Sequence, residues 1–85
     1  MVQPNILAYL NEHFIPVMVD YDREKEIVRK YHVRGIPDIR FLDSRGEELR
    51  RITGFVPEDT FLSMLKYMNE DAFRDMSFSE FLRLK

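Results

Sequence analysis

Arg34-Gly35-Ile36-Pro37-Asp38 is the stretch on which the reading of this chain turns. It stands between a run with helical spacing and a run with strand character. On its N-terminal side, Ile27, Val28 and Tyr31 recur at i, i+1 and i+4, one face of a helix over Arg23–Tyr31. Asp22 is positioned to cap that helix, and Arg29 and Lys30 fall in its last turn, where cations suit the dipole. His32 then falls at the helix C-terminal turn and is a tolerable residue for positive φ. On the other side, Asp38-Ile39-Arg40-Phe41-Leu42-Asp43 reads as a strand. The Ile36–Pro37 step is thus a kink ahead of a strand. A cis peptide bond and a trans proline opening an edge strand are its two alternatives.

Working outward, Ser44-Arg45-Gly46 is a turn, with Gly46 suited to positive φ. Residues 47–53 return as a strand, so the pair reads as a β-hairpin. Pro57, Glu58 and Asp59 open a helix whose apolar face is Phe61, Leu62, Leu65 and Met68. Ser77-x-x-Glu80 is a capping box ahead of a short terminal helix. Phe73, Met76, Phe78 and Phe81 are expected to fold back on the rest. Towards the start, Ile6, Leu7, Leu10 and Phe14 give a short amphipathic helix. Ile15-Pro16-Val17-Met18-Val19 reads as a strand covered on both faces.

With 85 residues, 45% hydrophobic and 33% charged, the chain is expected to be one small globular domain, with 72–85 as a C-terminal helical extension. A domain of this size buries only roughly 60% of its unfolded surface, so a partner or self-association would add needed stability. The net charge of −2 argues against a dedicated nucleic-acid partner. No apolar run approaches a membrane span. Arg50-Arg51 and the basic residues between 23 and 34 alternate with acids and read as solvated faces.

The sequence supports no metal and no cofactor. His13 and His32 lack the convergent partners that zinc requires. Asp20, Asp22, Glu24 and Glu26 superficially suggest a calcium loop, but Lys25 stands where glycine is needed and Tyr31 where the bidentate Glu is needed. No serine has a base partner visible in the sequence, and the three glycines form no phosphate loop.

The order helix, strand, helix, kinked loop, strand, strand, helix resembles the second part of a thioredoxin-like fold. Val17-Met18-Val19-Asp20 is similar to that superfamily's third strand, and Lys30 through Pro37 to its cis-proline loop. Phe41-Leu42-Asp43-x-x-Gly46 resembles the fourth strand and hairpin turn, and Arg51-Ile52-Thr53-Gly54-Phe55 the fifth strand and its glycine. Residues 5–20 and the tail from Tyr67 resemble bacterial thioredoxin-related proteins, similar to the C-terminal domain of thiol:disulfide interchange proteins. Relatives of that branch are often extracytoplasmic.

The resemblance implies an α/β, incomplete thioredoxin-like fold: a three-stranded sheet with a C-terminal β-hairpin, flanked by helices. In the family, two strands and a Cys-x-x-Cys helix start precede the point where this sequence begins, and the absent second strand lies between the third and fourth. The strand at Val17–Val19 is therefore expected to pair directly with the next strand, with a second copy in a dimer, or with a separate segment. The resemblance also implies a substrate-facing loop at Arg34, Gly35, Ile36, Pro37 and Asp38, where an extended protein or peptide would pair with the backbone before the proline. The chain contains no cysteine, so the family's thiol–disulfide exchange is not expected of it.

Overall fold

The computed structural model describes residues 3–84. In chain order these hold α1 (Pro4–His13), α2 (Lys25–Lys30), β1 (Asp38–Leu42), β2 (Glu48–Thr53), α3 (Glu58–Asn69), a 3-10 turn (Ala72–Arg74) and α4 (Phe78–Arg83). They divide into two compact units. One comprises the helical segments up to residue 16 and from residue 56 onward; the other is residues 17–55.

In the helical unit α3 is the hub, packed against α1, the 3-10 turn and α4. Pro4 sits in the first turn of α1, where no N–H is needed, and the Gln3 carbonyl accepts from the Ile6 and Leu7 amides. Ile6 and Leu65 are completely enclosed. The expected apolar stripe on α3 is only partly the one that is buried. Leu65 and Met68 are covered, but so are Ser63 and Tyr67 on the neighbouring face, while Phe61 and Leu62 are half-buried. The reason is that α3 is contacted by more than one element, so a single stripe does not describe it.

Tyr67 anchors the tail. Its ring lies 6.4 Å from Phe73 and 5.3 Å from both Phe78 and Phe81. Its hydroxyl donates to the Met76 carbonyl at 2.5 Å. The fold-back expected from Phe73, Met76, Phe78 and Phe81 therefore has a polar pin at its centre. The capping box is formed: the Glu80 amide donates to Ser77 Oγ, and the Ser77 amide to Glu80 Oε1.

In the second unit the sheet has two strands, not the expected three. Val17, Met18 and Val19 form no strand; Val17 and Met18 are 78% and 94% exposed. Apolar, β-branched content suits a pleated surface but does not create one, and a strand needs a neighbour to accept its ladder of hydrogen bonds. Neither β1 nor β2 offers that ladder to 17–19. Each finds its partner across a five-residue connection instead, the closer encounter along the chain.

The cap of α2 also differs from expectation. The Asp20 carboxylate takes the Asp22 and Arg23 amides, and the Glu24 carboxylate takes the Asp20 amide, leaving Asp22 without a capping role. The helix consequently starts at Lys25. It ends in a Schellman arrangement, with the Val33 amide bonded to the Val28 carbonyl and His32 at φ 54°.

In the hairpin Ile39 pairs with Ile52, and Phe41 with Arg50. Cross-strand partners and alternate residues share a face, so Ile39, Phe41 and Ile52 form one side, on which Phe41 and Ile52 are buried. Asp43 organises the connection by accepting the Arg45 and Glu47 amides, and Gly46 takes φ 83°.

Leu65→Ala is expected to lower the free energy of unfolding by about 2–5 kcal/mol. Ser77→Ala, which removes a surface cap, is expected to cost about 1 kcal/mol. Urea titrations followed by circular dichroism measure both, and a larger loss at Ser77 than at Leu65 would contradict this account of the core.

Candidate functional site

The second face of the hairpin carries the polar chemistry. Asp38, Arg40 and Leu42 alternate along β1, opposite Thr53, Arg51 and Glu48 of β2. Two arginines thus face each other directly, a repulsive pairing unless an anion lies between them. A β-bulge supplies it. Phe41 pairs with Arg50 but Leu42 with Glu48, so Leu49 is an extra residue. That one-residue slip brings Glu48 onto the arginine face. Its Oε1 then accepts from Arg40 Nη1 at 3.0 Å and its Oε2 from Arg51 Nε at 3.0 Å.

Arg40 is the centre of this arrangement. Nε and Nη2 donate to the two oxygens of Asp38 at 2.9 and 3.1 Å, a fork-to-fork pair. Nη1 also donates to the Tyr31 carbonyl, just past the end of α2. The guanidinium carbon lies 5.9 Å from the Tyr31 ring centre, and the Tyr31 hydroxyl donates to the Gly46 carbonyl at 3.1 Å. Side chains of Arg40 and Asp38 are only 10% and 7% exposed. Hydrogen bonding to Asp38 holds the Arg40 pKa above its ordinary value, with the charges of Asp38 and Glu48 adding to this and burial opposing it. A raised guanidinium keeps its stabilising charge at every pH below its ordinary titration range.

This network supports one wall of an open cleft of about 670 Å³. All five loop residues, Arg34, Gly35, Ile36, Pro37 and Asp38, line it, and His32, Arg51, Thr53 and Gly54 complete it. The Ile36–Pro37 peptide bond is cis. The Pro37 carbonyl accepts from the Gly54 amide at 3.0 Å, which ties the loop to the end of β2. Gly54 has φ 81°, a conformation that side chains resist. Gly35 is different: a Cβ there would meet open space.

The five residues are not equivalent. Asp38 has both oxygens committed to Arg40 and serves the scaffold. Ile36 is 72% exposed, and no hydrogen bond among the described residues engages its backbone N–H or C=O. Arg34 is exposed and forms no ion pair among the described residues. Sequence reasoning did not single out Tyr31, Arg40 and Glu48 as a unit. Asp38-x-Arg40 on a strand was the available signal, since residues two apart share a face; the bulge that recruits Glu48 left none.

A sequence profile of the thioredoxin-like domain matches residues 2–69. The chain belongs to the thioredoxin-like domain family. Searches of curated proteins and of solved structures returned no match. The family match covers both strands, the Ile36–Pro37 loop and α1 through α3, and ends before the 3-10 turn. This thioredoxin-like chain contains no cysteine, so it holds no thiol for dithiol chemistry.

Arg40→Met is expected to destabilise the fold by about 2 kcal/mol, because it strands a carboxylate and a backbone carbonyl in covered positions. Adding Asp38→Val to that variant should recover part of the loss, since no unpaired charge remains. A double variant less stable than Arg40→Met would contradict the pairing. Gly54→Ala should cost about 1 kcal/mol and Gly35→Ala close to nothing, both read from denaturant midpoints.

Proposed function

We propose that this chain is a binding module related to thiol–disulfide oxidoreductases but without their reaction, and that it docks an extended polypeptide on the Arg34–Asp38 loop. The observation that carries this reading is the Ile36 backbone. Its N–H and C=O lack partners among the described residues, on an exposed loop that is held at both ends, by the Schellman turn before it and the Pro37–Gly54 bond after it. A polar backbone edge that is fixed in place and unpaired is what strand addition requires, and main-chain bonds then supply affinity with little dependence on sequence. The cleft beside the loop gives the incoming side chains room.

Exchange chemistry is a separate matter. It begins with a thiolate attacking a disulfide, and this chain has no thiol. Insulin reduction by dithiothreitol should therefore proceed at the same rate with and without the protein; turnover above background would overturn the reading. For docking, an unstructured decapeptide titrated into isotopically labelled protein should shift the Ile36 amide resonance. The same peptide N-methylated at alternate residues should not, because its backbone donors are removed. Equal shifts from both peptides would rule out strand addition.

A second reading concerns Val17–Val19. No hydrogen bond among the described residues engages the backbone of these three apolar residues. An exposed segment of that kind is a template for pairing with a like segment of another copy. Sedimentation velocity tests it: self-association at micromolar concentration is expected, abolished by Met18→Pro, and a monodisperse monomer would refute it.

A further inference from the structure

We infer that the cleft selects acidic extended peptides, with Arg34 as the residue that reads the charge. The inference rests on the docking role proposed for the Arg34–Asp38 loop and adds the chemical class of its occupant. It starts from the charges at and behind the cleft wall, which number three arginines and two carboxylates: Arg34, Arg40 and Arg51 against Asp38 and Glu48. Asp38 gives both oxygens to Arg40, at 2.9 and 3.1 Å. Glu48 gives one oxygen to Arg40 and the other to Arg51, each at 3.0 Å. Both carboxylates are thus spent on Arg40 and Arg51. Arg34 is left with no anionic partner among the described residues, although it lines the same cleft as the unpaired Ile36 backbone.

Arg51 adds to this. Only its Nε is bonded among the described residues, and its side chain is 45% exposed, so its terminal nitrogens remain available to an incoming acceptor. A guanidinium offers five donors in a planar fork, so one carboxylate of a partner can be held without breaking the link to Glu48. Among the described residues the one carboxylate lining the cleft, Asp38, is 7% exposed and paired with Arg40. An acidic side chain entering there meets cationic donors and no free anion.

The chain as a whole carries a net charge of −2, so acidic peptides gain nothing from its overall charge. A preference for them would have to come from local contacts. In an extended peptide, an acidic side chain two residues along from the paired backbone lies within about 7 Å of it.

The test uses three decapeptides that differ only in charge: alternating Thr-Glu, Thr-Gln and Thr-Lys. Each is titrated into the full chain, with dissociation constants and the Ile36 and Arg34 amide shifts read from the same spectra. The Thr-Glu peptide should bind about fivefold more tightly than Thr-Gln, and Thr-Lys more weakly than either. The advantage of Thr-Glu should vanish in 1 M NaCl and fall in Arg34→Gln; an undiminished advantage in that variant would overturn the assignment to Arg34. Equal affinity for Thr-Glu and Thr-Gln would overturn charge selection and leave backbone docking standing. Absence of any shift at Ile36 with all three would overturn both. Shifts confined to residues outside the cleft would overturn the site. A thermal melt of Arg34→Gln matching the parent excludes unfolding as the cause of any loss.

Discussion

The Arg40 guanidinium is the constraint on which residues 17–55 depend. It is a single side chain joined to three backbone segments: Asp38 on its own strand, Glu48 on the next, and the Tyr31 carbonyl just beyond α2. A two-stranded hairpin is marginal on its own, because one pair of strands encloses little. Here the hairpin's polar face is fixed to a helix end through a charged fork, and its apolar face carries Phe41 and Ile52. The guanidinium also meets the negative end of the α2 dipole, so helix, strand and bulge each place a negative group around one cation. Arginine suits this position better than lysine would. Its planar donors reach three residues at once, and its guanidinium carbon lies 5.9 Å from the Tyr31 ring centre.

That network also explains why the loop before Pro37 can be exposed yet fixed. The loop leaves a helix that ends in a defined left-handed residue and enters a strand whose first residue, Asp38, is clamped. Between these two points the backbone of Ile36 makes no hydrogen bond among the described residues. The hydrogen bonds that hold this region therefore lie at its flanks. In this thioredoxin-like chain the loop shares its cleft with Arg51.

The helical unit solves a different problem. Its helices are short and would be marginal alone, so they must bury shared surface. Tyr67 does this in an economical way. Three phenylalanine rings of the tail pack around it, and its hydroxyl satisfies the Met76 carbonyl that the turn leaves open. The capping box at Ser77 then starts α4 at the point where the chain has turned back.

Local rules written in the sequence determined the short-range features. The capping box at Ser77 and Glu80, positive φ at His32 and Gly46, the hairpin between 38 and 53, and the membership of the thioredoxin-like family were all legible there. Each depends on residues within a few positions of one another, or on a string of such motifs in order. Tertiary structure decided what depends on partners. Val17–Val19 has the composition of a strand and is not one, because a ladder needs a second backbone and composition cannot provide it. Asp38 belongs to the loop singled out in the sequence and lines the cleft, and the fold adds what the sequence did not show, that it is the counter-ion of Arg40. The Leu49 bulge carries no signal in the pattern of residues 47–53, yet it turns Glu48 towards the two arginines.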